Sequence, residues 1–181
     1  MSDQHHRITP PDDQTGDQLD AETFIRRARE LAFTLYEGKR TPHRSCGIAI
    51  AETFGLATEP YQALRKGGIT GCGECGAIVA GRLVLGQLLG DPDPTGQVTP
   101  ALREAMLKYE SLWAERLERR DASGSDIACN TLAGQFDVFM SEERAGFCTR
   151  IAAMVAESTA EALASQGKLV NVRLNVEGVE E

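Results

Sequence analysis

The sequence has no long run of apolar residues and no excess of positive charge. No segment reaches the roughly 18 uninterrupted apolar residues that a membrane-spanning helix needs, and residues 1–20 lack the apolar stretch of a signal peptide. The 181 residues carry 27 acidic and 19 basic side chains, for a net charge of −8. This charge disfavours nucleic acid and anionic lipid as partners. We therefore expect a cytoplasmic protein without a membrane span.

The five cysteines also lack the spacing of several known cysteine sites. Thiols stay reduced in the cytoplasm, and an odd number of them makes a disulfide framework a poor interpretation. Gly76 rather than His follows Cys75, which excludes a c-type haem attached at this motif. Cys129 and Cys148 are too far apart to be the second close pair of a zinc ribbon. The βαβ units of a thioredoxin fold are not predicted either.

What the sequence does contain predicts an all-α fold, a single-domain bundle of about five to six helices with a glycine-rich cysteine loop. The 41% hydrophobic content is near that of globular domains, and the length suffices for one core. Apolar residues recur at helical spacing, and caps, prolines and glycines bound the helices. The main predicted helices cover residues 20–36, 42–54, 74–89, 99–120 and 141–167, with two short helices near Pro60 and Cys129.

Two tails flank the helical domain, which is predicted to span residues 19–167. Residues 1–18 are rich in Asp, Gln, Pro and Thr and are predicted to be a mobile tail. In residues 168–181 apolar and polar side chains alternate, which is strand periodicity. A lone strand is not stable. We expect this tail to pair with the same tail of a second subunit or to serve as a docking peptide.

The chemistry of the chain is concentrated in a C-x-x-C motif formed by Cys72 and Cys75, which follows the glycine-rich loop. Cysteines near a helix N-terminus are biased toward the thiolate, which attacks disulfides and binds metals. Thiol–disulfide exchange needs one attacking and one resolving thiol. The pair Cys72 and Cys75 supplies both and is the candidate catalytic pair.

An iron–sulfur cluster is the other chemistry that the cysteines fit, because it needs about four thiolates and the chain has five. The glycine-rich loop would offer backbone N–H groups to the sulfurs. The candidate metal ligands are Cys46, Cys72, Cys75, Cys129 and Cys148. The candidate cofactor-binding glycines are Gly71, Gly73 and Gly76. His43 lies three residues before Cys46 and is a further candidate ligand or proton carrier, although first-turn histidines more often have no such role.

The order of these motifs resembles the C-GCAxxG-C-C family, which is named for its cysteine pattern and described as redox-active. Ser45-Cys46 opens a helix, Gly-Gly precedes Cys75-Gly76-Ala77, and two later cysteines each lie near the start of a helix. The resemblance covers roughly residues 20–165. By position, it carries the four family cysteines onto Cys46, Cys75, Cys129 and Cys148.

The chain departs from the family pattern at two places. Cys72 is an additional cysteine, and Ala80 stands where the last motif glycine is expected, with Gly81 one place later. The resemblance implies a mostly helical, often dimeric protein with clustered redox thiols. The split-Soret cytochromes are a related group that couples a similar domain to haem and an iron–sulfur centre. Only the iron–sulfur part can transfer, because the haem motif is absent.

These observations leave three hypotheses. The first is a small cytoplasmic redox protein whose converging cysteines hold an iron–sulfur cluster for electron transfer with an unknown redox partner. The second is a metal-free thiol–disulfide exchange protein that uses Cys72 and Cys75. The third is a structural or adaptor protein that docks through its C-terminal tail. The number of thiols favours the first slightly over the second, and both over the third. Whether the chain is an oxidoreductase enzyme stays open.

Overall fold

The computed structural model describes residues 20–119, 126–170 and Val172, and these residues form the predicted all-α domain. The helices are α1 (Ala21–Glu37), α2 (Cys46–Thr53), a 3₁₀ helix (Glu59–Leu64), α3 (Gly76–Leu89), α4 (Pro100–Arg116), α5 (Cys129–Ala133) and α6 (Glu142–Ala164). Among the described residues the only β pairing is an isolated bridge between Glu74 and Ala128. The predicted tail 1–18 and most of the predicted strand at 168–181 lie outside the described residues. In the described ranges no helix combines the length and apolar character needed to cross a bilayer.

Helix α6 is the centre of the bundle, and α1 packs along it more extensively than any other helix pair. The α6 residues Ala152, Ala156 and Ala160 are fully buried, so the backbones of the two helices can approach closely. Side-chain caps fix the starts of the long helices, as the sequence predicts. Asp20 accepts a hydrogen bond from the Thr23 amide (2.9 Å) at the start of α1.

Helices α3 and α4 pack against each other through a small residue. A methyl group at Gly81 would lie 2.6 Å from Cζ of Tyr109, so only glycine lets this aromatic ring reach α3. The buried Tyr109 hydroxyl donates a hydrogen bond to the Ile78 carbonyl (2.8 Å). The one-place shift from Ala80 to Gly81 therefore keeps the close helix packing that the sequence motif predicts.

The predicted start of α2 at Pro42 is wrong, because residues 42–45 are not helical and the helix begins at Cys46. The end of α1 holds this segment. The Arg44 amide donates to the Leu35 carbonyl (2.8 Å), and the His43 ring packs edge-on against Tyr36, at 4.8 Å between ring centroids, with Nδ1 on the Tyr36 carbonyl. His43 and Cys46 therefore do not share a helix face, contrary to the sequence prediction.

Candidate functional site

The glycine-rich loop before α3 is built around a left-handed turn. Residues 66–69 all have positive φ angles: Lys66 (48°), Gly67 (54°), Gly68 (68°) and Ile69 (70°). The Ile69 amide donates to the Arg65 carbonyl (2.6 Å), which closes the turn. A left-handed conformation is unfavourable for any residue except glycine, and especially for β-branched isoleucine. Two non-glycine residues are thus held in a strained backbone conformation, which is a feature common at functional sites.

This loop joins the backbone around Cys75 to the backbone around Cys129. The Gly73 amide donates to the Gly67 carbonyl (3.0 Å), and the Gly73 carbonyl accepts from the Cys129 amide (2.9 Å). The Cys75 amide donates to the Ile127 carbonyl (2.8 Å). The start of α5 is therefore held against the start of α3 by backbone hydrogen bonds that require no particular side chain.

Glycines at this loop make room for the cysteines. A methyl group at Gly67 would lie 2.6 Å from Cβ of Cys129 and would also overlap the Gly73 carbonyl. A methyl group at Gly76 would lie 2.9 Å from the Cys46 sulfur, so this glycine lets the thiol of α2 reach the start of α3.

The two other glycines predicted to bind a cofactor contact protein atoms. A methyl group at Gly71 would lie 2.5 Å from Cγ of Asn130. A methyl group at Gly73 would lie 2.9 Å from the Gly67 carbonyl oxygen. Both glycines thus allow close packing within the loop and between the loop and α5.

Four of the five cysteines lie close enough to act on one another electrostatically: Cys46, Cys75, Cys129 and Cys148. We call them the cysteine cluster. Cys46 is the first residue of α2, Cys75 is the N-cap of α3 and Cys129 is the first residue of α5. Cys148 lies in the second turn of α6. Cys148 raises the pKa of each of the other three thiols. The four cysteines of the cluster therefore come from the starts of four separate helices.

Burial is the main influence on the pKa values of Cys46, Cys75 and Cys129. It raises the pKa of Cys46 to about 11, against a smaller lowering by the Gly47 amide. It raises the pKa of Cys75 to about 12, and Cys46 raises it further, while amides at the start of α3 oppose the shift. Burial and Cys148 also raise the pKa of the half-buried Cys129. The bias toward thiolate that the helix starts suggested is therefore outweighed by desolvation.

Cys72 differs from the cysteine cluster in its exposure. It is exposed to solvent, and its sulfur faces the Thr70 carbonyl at 3.9 Å. Cys75 is buried, and the charges that raise its pKa are those of Cys46 and Cys148. Thiol–disulfide exchange by Cys72 and Cys75 stays a prediction. The thiols of Cys46 and Cys148, which raise the pKa of Cys75, belong to other helices.

Three residues near the cluster were not identified in the sequence analysis. Tyr36, at the end of α1, is buried, and burial together with Cys148 and Cys46 raises its pKa. Arg144 and Lys66 both act on Cys129 in the opposite sense to burial. Tyr36 continues the inward-facing stripe of α1, which was an available signal. Arg144 precedes Cys148 by one helical turn, but nothing in the sequence indicates that Lys66 is near Cys129.

The thiols of the cluster are not arranged as the ligands of a metal ion. Within the part of the chain that the structure describes, no three His, Cys, Asp or Glu side chains are arranged so that they could hold a metal ion. The thiols are thus neighbours, but they do not form an assembled ligand set. The iron–sulfur cluster predicted from the number of cysteines has no ready-made site in this arrangement.

Comparisons with known proteins add no relative to this description. The chain matches no family model, no curated protein and no solved structure. The resemblance to the C-GCAxxG-C-C family, with its implied dimer and redox thiols, therefore stays a prediction, and the site must be interpreted from its own geometry.

Proposed function

We propose that this chain is a thiol redox protein whose cysteine cluster exchanges two electrons with a disulfide partner. The observation that carries the proposal is the convergence of Cys46, Cys75, Cys129 and Cys148 from four helices. Isolated buried cysteines are common and inert. Four that meet at the ends of separate helices beside a strained loop support a chemical role.

We assign the first step to Cys129, because it is partly exposed and has two cations that favour its thiolate. Cys46 and Cys148 are also partly exposed, whereas Cys75 is buried. Burial and Cys148 raise the pKa of the Cys129 thiol, but Arg144 and Lys66 oppose this by favouring the thiolate. Cys148 is close enough to act on Cys129 and is the candidate resolving thiol. Cys46 and Cys75 form a second, more deeply buried pair.

The exchange is balanced as follows. Cys129 as a thiolate attacks one sulfur of the partner disulfide, the partner S–S bond breaks, and one partner thiolate leaves. Cys148 as a thiolate then attacks the Cys129 sulfur, which releases the second partner thiolate and forms the Cys129–Cys148 disulfide. The two partner thiolates take up the two protons that the cysteines have lost. The protein is oxidised by two electrons and the partner is reduced by two.

Oxidation without metal tests this proposal. We expect hydroxyethyl disulfide to convert the reduced protein, handled without oxygen, to a form lighter by about two hydrogen atoms per pair. Peptide mapping should locate a Cys129–Cys148 bond, and Cys129→Ser should abolish it. Cys72→Ser is the matched control and should still form the bond. Oxidation that only joins two chains through Cys72, with the cluster left as thiols, would contradict the proposal.

A second candidate function is that the cluster holds an iron–sulfur centre, and backbone hydrogen bonds favour it. The Ala77 and Ile78 amides lower the pKa of the Cys75 thiol, and the Gly47 amide lowers that of Cys46, as backbone N–H groups near a thiolate do. Such N–H···S bonds support thiolates that ligate clusters. We rank this function second because the thiols are not arranged as a ligand set.

Metal and sulfide analysis distinguishes the two candidates. Protein purified without oxygen should contain no stoichiometric iron or acid-labile sulfide if disulfide exchange is the function. Iron with matching sulfide that is lost in Cys75→Ser and kept in Cys72→Ser would establish the second candidate instead.

A further inference from the structure

An exposed apolar segment lies between α5 and α6. Val138, Phe139 and Met140 are consecutive and are 59%, 42% and 81% exposed. Single exposed apolar residues need no explanation, but three in succession form a patch. With Lys66 and Arg144, which flank the ring of Phe139, we call this patch the Phe139 surface.

Two cations hold the aromatic ring of this surface. The Arg144 guanidinium carbon lies 4.5 Å from the Phe139 ring centre, and Arg144 Nε donates to the Phe139 carbonyl (2.5 Å). The Lys66 ammonium lies 5.3 Å from the same ring centre. These distances are within the range of cation–π attraction. The surface therefore has an apolar centre with positive charge at its edge, on a protein of net charge −8.

The same two cations connect the Phe139 surface to Cys129. Lys66 belongs to the strained left-handed turn, and its neighbour Gly67 is packed directly against Cβ of Cys129. Arg144 lies one helical turn before Cys148 on α6. Both cations act on the Cys129 thiol to favour its charged form, against burial and Cys148. A molecule seated on the surface would thus lie beside Cys129, a partly exposed thiol of the cluster.

We propose that the Phe139 surface docks an acidic partner protein, one that presents its reacting sulfur next to apolar side chains ringed by carboxylates. The apolar centre would bury the partner's apolar side chains, and Lys66 and Arg144 would pair with its carboxylates. This inference rests on the proposed disulfide exchange, because the docked sulfur must reach Cys129. Charge complementarity mainly raises the rate of encounter and selects the partner.

Matched peptides test this selection. We would use two pentapeptides with a central cysteine between two leucines, one with glutamate and one with lysine at both ends, each activated as a 2-pyridyl disulfide. Cys129 attacks the peptide sulfur, the bond to the pyridyl sulfur breaks, and pyridine-2-thione leaves and is measured by its absorbance. Cys148 then displaces the peptide thiol. The protein carries Cys72→Ser, which removes the exposed thiol that would react with either peptide.

The acidic peptide should react about tenfold faster than the basic one at low ionic strength, and added salt should shrink this difference. Lys66→Glu with Arg144→Glu should reverse the preference. Lys66→Gln with Arg144→Gln should remove the preference for the acidic peptide. This neutral variant keeps the test valid if the charge-reversed protein does not fold. Arg103→Glu with Lys108→Glu changes the net charge equally at exposed positions of α4 and should keep the preference.

The outcomes separate the two levels of the proposal. Equal rates for both peptides, or faster reaction of the basic one, would overturn the docking inference and leave disulfide exchange intact. Cysteine activated in the same way but without the peptide should react more slowly than the acidic peptide. An equal rate would identify a small molecule as the partner and would also overturn the inference. Failure of both peptides to yield a Cys129–Cys148 bond would contradict the proposed function itself.

Discussion

At the scale of single residues, burial separates the cysteines by how readily each can react. Cys46 and Cys75 keep their protons at neutral pH, because burial raises their pKa values to about 11 and about 12. Cys129 is less buried and has two cations nearby. Cys72 is exposed, and Cys46 and Cys148 are partly exposed. Cys129 therefore differs from the other thiols of the cluster in combining partial exposure with two cations that favour its thiolate.

The raised pKa values also predict how stability depends on pH. The folded protein holds the Cys46 and Cys75 protons more tightly than the unfolded chain, in which thiols titrate near 9.0. Their contribution to stability is full below about pH 9 and is lost as the pH rises through about 11 to 12. Over this range the free energy of unfolding should fall by about 1.4 kcal/mol per pH unit for each thiol.

Urea unfolding between about pH 8 and about pH 10.5, in excess reductant and without oxygen, measures this dependence. Cys75→Ala is the matched control, because it removes one of the two groups and should give a clearly shallower decline. Equal declines in the two proteins would show that the Cys75 proton does not stabilise the fold.

At the scale of structural elements, the helix caps could be predicted from local sequence, but the left-handed turn could not. Asp20, Thr99 and Ser141 are residue types that cap helices, and each side chain accepts the expected backbone hydrogen bond. The turn was predictable only as a glycine-rich loop. Lys66 and Ile69 do not favour positive φ, so their conformation is imposed by hydrogen bonds within the loop and to α5.

Two adjacent glycines of this turn are expected to tolerate alanine very differently. At Gly68 a methyl group meets no atom within 4 Å, so Gly68→Ala should cost about 1 kcal/mol through the left-handed conformation alone. At Gly67 the methyl group also overlaps Gly73 and Cys129, so Gly67→Ala should cost about 2–4 kcal/mol.

Denaturant unfolding of the two variants measures the difference, and each serves as the control for the other. Gly67→Ala should also slow the oxidation of Cys129, because the overlap displaces this residue. Similar losses of stability in both variants would show that the loop does not press on Cys129 as described.

At the scale of the whole molecule, local patterns predict the class of the fold but not how its helices pack. The 3.6-residue periodicity and the caps predict the helices, and the all-α class is confirmed. The clustering of Cys46, Cys75, Cys129 and Cys148 was expected only from the number of thiols and from the family resemblance, because no local pattern encodes the packing of four helices. His43 illustrates the opposite error, since its spacing from Cys46 suggested a shared helix face that tertiary contacts with Tyr36 prevent.

The C-terminal segment, which the sequence predicts to be a tail outside the helical domain, contributes one described residue to the core. Val172 is only 1% exposed and belongs to the hydrophobic core. Val172→Ala should cost about 2 kcal/mol, from two lost methylene equivalents and the space they leave. Val98→Ala is the matched control, because Val98 is 59% exposed and should change stability by less than about 0.5 kcal/mol.

Thermal and urea unfolding of both variants check this expectation. Equal stabilities would show that the end of the chain can leave the core without loss, and would favour its use as a free docking peptide.

The placement of Cys129 and Cys148 on different helices ties the folding equilibrium to electron transfer. A bond between them would close a loop of about 20 residues, and such a loop restricts the unfolded chain by about 3 kcal/mol. By the thermodynamic cycle, the folded protein would then hold the disulfide more strongly than the unfolded chain by the same amount, or by about 65 mV in reduction potential. Unfolding would make the disulfide easier to reduce, so heat or a destabilising mutation would change the redox state of the protein as well as its shape.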